Sequence, residues 1–386
     1  MVAALAALVA GCGGGGGQGG DESVNLAIVA ELSGSAAEVG EEWKEGAEAA
    51  IADINDAGGI LDHKVGSFSV DTQSDAAKSA SAIRNALSKD PFAVIGPVVS
   101  SSIVVDAKLT RKAKVPEVVG GVADEITQQG NDYVLRAGPP SGAESQVIAK
   151  FLAENVGAHK VAIVYRNDQR GQSASETLGK YLKQGGVSVD AVSVAPDQTN
   201  YAGTVGRVVT ANPDAVYLSA IPTQDAQIIS ELKRSALGKD VVLTGDQDAL
   251  SPTVSKLTDK GSDGMRGVIN YSADAPGFAK LAKKFAGKHD GQQPTANFYK
   301  AYIFTWMIKY AAEDVGKLDQ DALMDYIHDR TFCVDKYPHL LQSFYIKKNG
   351  DPDGPEYVTK VVDGKQQVVG TVKPLEEGKF SSCKPA

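Results

Sequence analysis

From residue 24 onward, short apolar runs alternate with longer stretches in which apolar side chains recur every three or four positions. NLAIVA (25–30), FSV (68–70), FAVIG (92–96) and PEVVG (116–120) are β-rich runs of strand length. Near-continuous hydrophobicity in so short a run marks a strand buried on both faces of a parallel sheet. Between the first two lies EEWKEGAEAAIADINDAGG (41–59), where Trp43, Ala47, Ile51 and Ile54 share one helical face. Gly58 and Gly59 supply the stop. The segments 75–89 and 101–113 repeat the helical scheme. After the turn-rich GPPSG (138–142) a second series begins, with KVAIVY (160–165), VSVDAVSV (187–194), DAVYLSA (214–220) and DVVLTG (240–245) as strands. Such alternation predicts right-handed crossovers and an open parallel sheet with helices on both faces. Two series predict an α/β protein of two similar lobes, with a ligand cleft beyond the carboxyl ends of their strands.

Composition narrows the function. With 386 residues, 42% hydrophobic and 23% charged, the chain suits a two-domain globular protein, and no apolar run reaches transmembrane length. A net charge of −9 without a clustered basic face excludes nucleic acid as the expected partner. The five histidines, at 63, 159, 289, 328 and 339, lack metal-ligand spacing. There is no GxSxG elbow, and neither Cys333 nor Cys383 sits in a nucleophile motif. No enzyme, metal or cofactor is expected.

The chain opens MVAALAALVAGCGGGGGQGGDES. The glycine tract is not a phosphate loop, because no lysine is near and Asp21-Glu22 would repel phosphate. Val2–Ala10 is too short to span a bilayer but suits the core of a signal peptide. LVAGC (8–12) resembles the bacterial lipoprotein box, although no Lys or Arg precedes the apolar core. That resemblance implies a signal segment over 1–12 and lipid on the Cys12 thiol, anchoring the protein to a membrane. Residues 13–23 then form a tether, and ten flexible residues reach about 16–20 Å. With Cys12 lipidated, Cys333 and Cys383 remain, either as a disulfide in an oxidising compartment or as two buried thiols.

NLAIVAELSGSAAEVGEEWKEGAEAAIADINDAGGI (25–60) is similar to the opening of the branched-chain amino-acid-binding proteins of ATP-driven importers. VIGPVVSSS (94–102), VPEVVGG (115–121), YVLRAGPP (133–140) and RGQSASETLGKYLKQGGV (170–187) fall at matching places. The resemblance implies the periplasmic binding protein type I fold, in which two lobes join through a three-strand hinge. It places the hinge crossings near Gly138-Pro139, Asn270-Tyr271 and Arg330-Thr331. One lobe is then 24–138 plus 271–330, the other 139–270 plus 331–386.

VVSSS (98–102) stands at a strand end before a helical pattern, where Ser100 or Ser101 would cap the helix. The free N–H groups there suit a carboxylate, and the resemblance gives Ser100 that role; a capping serine without a ligand is the alternative. In GGVA (120–123), Ala123 stands where the family has a ligand-binding threonine, leaving Gly121 and Val122 to offer backbone contacts. Arg170, Ile221 and Val39 replace aromatic residues frequent in the family. Arg170 either clamps a carboxylate or lies on the surface. Asp246, Gln247 and Asp248 follow the VVLTG strand, where the family holds an acid for the ligand's ammonium. They meet the ligand or cap the next helix. Trp43 points into the cleft or packs beneath it, and Tyr302 fits the core.

The expected function is ligand binding for an importer, with a small amino acid of branched-chain type or a related small carboxylate as ligand. Its partners would be a membrane permease and, through the lipid, the membrane, with the protein itself a monomer. A receptor of the same fold that senses a ligand for signalling is the alternative.

Overall fold

The computed structural model describes residues 23–383, so Cys12 and the glycine tract lie outside the described residues. Strands β1 (Val24–Ala30), β2 (Val65–Asp71), β3 (Ala93–Ile95), β4 (Glu117–Val119) and β5 (Val134–Arg136) form a parallel sheet in the order β2-β1-β3-β4-β5. β1 is buried at every position except Asn25, which is why its sequence shows no polar alternation. Helices α1 (Ala37–Asp56), α2 (Ala76–Leu87), α3 (Ser100–Ala113) and α4 (Glu125–Gln128) connect these strands. Trp43, Ala47, Ile51 and Ile54 all face the core from α1. The helix closes where Gly59 N–H, at φ +82°, donates back to Ile54 O at 2.8 Å.

The second unit alternates α5 (Ser141–Lys150), β6 (Lys160–Arg166), α6 (Gln169–Gln184), β7 (Ser188–Val194), α7 (Ala202–Ala211), β8 (Ala215–Ser219), α8 (Pro222–Arg234), β9 (Val242–Gly245), α9 (Pro252–Leu257) and β10 (Arg266–Ile269). After it come α10 (Ala279–Ala286), α11 (Ala296–Val315) and α12 (Gln320–Ile327). The small strands β11 (Arg330–Phe332), β12 (Phe344–Ile346) and β13 (Pro352–Asp353) form a sheet of their own. β14 (Glu356–Val362) and β15 (Lys365–Val372) then add an antiparallel hairpin to the second sheet, which runs β15-β14-β10-β9-β8-β6-β7. That sheet is therefore mixed, parallel from β7 to β10 and antiparallel beyond.

Helix α11 returns to the first unit and packs along α1. A Cβ at Gly46 would lie 2.2 Å from Phe298 O, so the close approach of the two helices requires glycine there. The small sheet also joins the first unit, since Arg136 N–H on β5 donates to Gly350 O at 3.0 Å. The chain thus enters the second sheet only at Glu356, later than the passage expected near Arg330-Thr331. Cys333 and Cys383 are joined by a disulfide that holds the last described residue against the small sheet. No helix among the described residues is long and apolar enough to cross a membrane.

Candidate functional site

The carboxyl ends of the strands in the two sheets face one another across a cavity of about 40 Å³. The loops after β3 and β4 bring Val98, Val99, Ser100, Gly120, Gly121 and Val122 to it, and α1 and α11 add Val39, Asn297 and Lys300. From the other side the loops after β6, β8 and β9 bring Arg166, Asp168, Ile221, Gln247 and Asp248, and α6 adds Arg170. The two sides also touch directly: Arg166 Nη2 donates to Ser35 Oγ at 2.9 Å, and Asp124 N–H donates to Ser173 Oγ at 3.3 Å.

The first wall is set from below. Glu31, just past β1, is fully buried and accepts from Val98 N–H and Val99 N–H, each at 3.2 Å. Burial pushes its carboxyl up to about 7 despite those two bonds. This anchoring corrects the expected capping. Val99 occupies the N-cap, Ser100 is drawn into the first helical turn, and neither Ser100 nor Ser101 caps α3 with its side chain. Ser100 Oγ instead accepts from Ala123 N–H at 3.4 Å, leaving its proton free to donate into the cavity. The 121–123 turn is held by fully buried Arg136, which donates to Gly121 O and Ala123 O, each at 2.9 Å, and pairs with Asp351 at 2.8 Å.

The second wall is a charge network. Arg170 reaches Asp246 at 2.5 Å, Asp248 at 3.0 Å and Ala220 O at 2.7 Å. Burial alone would lower the guanidinium's pKa, yet the Asp246 and Asp248 carboxylates hold it raised. Asp246 also accepts from Ser219 Oγ at 2.9 Å and from Asp248 N–H at 3.0 Å, so it fixes the loop rather than facing the cavity. Arg166 pairs with Asp168 at 3.2 Å.

Of the residues singled out in the sequence, Val39, Ser100, Gly121, Val122, Arg170, Ile221, Gln247 and Asp248 line the cavity. Ser101, Ala123, Asp246 and Trp43 do not. Ala123 is buried behind the wall, and Trp43 lies under Gly120, where an added Cβ would be 2.8 Å from the indole. Tyr302 is buried and donates to Asp53 at 2.9 Å. Sequence reasoning missed Arg166, Asp168, Asn297 and above all Lys300, whose ammonium is buried and donates to Gly120 O at 3.5 Å. Its signal was a lysine set inside the apolar helix NFYKAYIFTW (297–306). Among the described residues no cluster of His, Cys, Asp or Glu has the arrangement of a metal site.

Comparison with known proteins places this architecture. A family model described as periplasmic binding protein matches residues 23–366. A Leu/Ile/Val/Thr-binding protein from Salmonella typhimurium is 27% identical over 249 residues, covering 63% of this chain and 67% of that relative. The structure of a leucine-binding protein from Thermotoga maritima superposes with a TM-score of 0.81 at 21% identity, covering 91% of this chain and 99% of that one. A solute-binding protein of an ABC transporter from Rhodopseudomonas palustris, in complex with 3,4-dihydroxybenzoic acid, gives 0.82 at 18% identity, with 92% and 98% covered.

Proposed function

The chain belongs to the periplasmic binding protein family, and from that premise we propose that it is the extracytoplasmic substrate-binding component of an ATP-driven importer. Its ligand is a small carboxylate, a branched-chain amino acid or a related acid, held in the cavity and delivered to a membrane permease. The observation that carries this reading is the cavity itself, enclosed by the carboxyl ends of strands from two sheets and lined by polar groups from both. Ser100, at the start of α3, offers a hydroxyl and the positive end of a helix to the carboxylate.

The two units act as lobes. They are linked near 137–140, near 270–271 and near 354–355, and ligand contacts on both walls favour the closed form. Closure is a population shift, requiring tighter binding to the closed than to the open state. Lipid on Cys12, with residues 13–23 as tether, would keep the protein at the membrane surface. The chain carries out no catalysis in this reading.

A thermal-shift screen of purified protein, refolded to remove carried-over ligand, tests it against amino acids, hydroxy acids, aromatic acids and dicarboxylates. A ligand at 100 times its Kd stabilises by about 2.7 kcal/mol. A shift with a small carboxylate is expected, and no shift with any of them would contradict the reading.

A further inference from the structure

One charge lining the cavity stands outside any ion pair among the described residues. Asp168 is paired with Arg166 at 3.2 Å, and Asp248 with Arg170 at 3.0 Å. Asp246, behind the wall, is also on Arg170. Lys300 alone among the lining charged residues has no carboxylate within ion-pair distance among the described residues, and its one hydrogen bond is the 3.5 Å contact to Gly120 O. Its side chain is 1% exposed, and its stem fills the space beside Gly138, where a Cβ would lie 2.8 Å from Cε. The ammonium therefore cannot turn out to bulk solvent without repacking α11. Burial pulls its pKa down to about 8, against the attraction of Asp248 and Glu144, so at neutral pH it stays mainly protonated.

A second observation concerns the other polar lining group without a partner. Gln247 is 6% exposed, and its Oε1 is buried with no hydrogen-bond partner among the described residues. It lines the same cavity. An amide presents an uncharged donor or acceptor whichever end faces the ligand. It offers no countercharge to a ligand ammonium, but it pairs well with a hydroxyl.

Resting on the reading of this cavity as the ligand site, we infer that it selects a small carboxylate whose second polar group is an uncharged hydroxyl over the zwitterionic amino acid of the same shape, with Lys300 as the residue that decides. The carboxylate supplies the anion at ion-pair distance that Lys300 lacks, and Ser100 Oγ donates to it from the adjoining stretch of wall. An amino acid would bring its own ammonium close to that of Lys300, the one lining charge outside an ion pair, while both lining carboxylates are engaged by guanidinium groups. Removing that ammonium removes the repulsion, while the aliphatic patch of Val39, Val122 and Ile221 accepts the same side chain.

The test is a matched pair: L-leucine and (S)-2-hydroxy-4-methylpentanoate, which differ only in ammonium against hydroxyl. Both are titrated calorimetrically into the refolded full chain at pH 7. The hydroxy acid is expected to bind at least tenfold more tightly, and Lys300→Met should reduce that preference to threefold or less. Leucine binding as tightly as the hydroxy acid, or more tightly, overturns the inference. So does a preference that survives in a Lys300→Met variant melting as a folded protein. If that variant does not fold, the wild-type ratio alone decides. Binding of neither acid also overturns the inference. The wider reading then still stands if the thermal-shift library finds another small carboxylate, and falls if it finds none.

Discussion

The wall contributed by the first sheet and the helices packed on it offers aliphatic and backbone surface, Val39, Val98, Val99, Gly121 and Val122, with one hydroxyl on Ser100, one amide on Asn297, bonded to Glu42, and one ammonium on Lys300. The facing wall offers Arg166, Asp168, Arg170, Gln247 and Asp248, five polar groups with one aliphatic residue, Ile221. Judged by residue type, the second wall looks like the one that grips a ligand. Judged by partners, the order reverses. Arg170 is already shared between Asp246 and Asp248, and Arg166 holds Asp168. Charges that satisfy each other organise a wall, whereas charges left without a partner read what enters. The sparse wall, through Lys300 and Ser100, thus carries more of the recognition, with the Gln247 amide facing it from the other side.

That comparison can be broken by mutation. Arg170→Met leaves two buried carboxylates without their cation and should cost about 3–5 kcal/mol of stability in urea unfolding. Arg170→Lys should recover part of it. A loss below about 1 kcal/mol would mean the second wall does not depend on its internal pairs. Arg136→Met acts under the first wall, freeing Gly121 O, Ala123 O and Asp351, and should cost about 3 kcal/mol. It should also weaken ligand binding, because the 121–123 turn loses its support. Ser100→Ala should lower affinity about tenfold and lower stability by only about 1 kcal/mol, since besides the donor to the ligand it removes the long 3.4 Å acceptor of Ala123 N–H. Unchanged affinity would remove Ser100 from the recognition scheme.

The smallest expected effect is pH-dependent. Behind the first wall, burial pushes Glu31 up to about 7 and Glu42 up to about 8, and in the first unit it pushes Asp106 up to about 7. Their unfolded values lie near 4. Between about pH 4 and 8 the folded protein therefore binds more protons than the unfolded chain. Stability falls as pH rises through that window and is not lost further above it. A melting temperature several degrees lower at pH 8 than at pH 5 is expected, and Glu31→Gln should flatten the slope.

How much of this was legible in the sequence follows from what each residue depends on. The strands β1, β3, β6 and β8 announce themselves because parallel strands buried on both faces need only apolar runs. The β14–β15 hairpin escaped notice although VVDGKQQVV (361–369) carries its turn. Asp363 and Gly364 both adopt positive φ, +51° and +74°, as a two-residue hairpin turn requires. β15 alternates half-buried and exposed positions and is rich in polar residues, so it never reads as an apolar run. In the site, Ser100 and the 246–248 stretch were visible because they stand just beyond strand ends, and Arg170 because it replaces an aromatic residue of the resembled family. Lys300 was not, because a lysine inside an apolar helix signals burial but not the cavity, which it reaches only through the packing of α11 on α1, a contact far apart in sequence. Glu31 was equally hidden: its role is to receive two backbone N–H groups from a loop more than sixty residues away.

The most direct test of the central claim, that both walls close on one ligand, is small-angle X-ray scattering of refolded protein. It would be measured alone and saturated with whichever carboxylate the thermal-shift screen selects. Closure predicts a smaller radius of gyration in the saturated sample, and the Lys300→Met variant, at a concentration that saturates only the wild type, should stay at the ligand-free value. An unchanged radius of gyration at proven saturation would contradict the account.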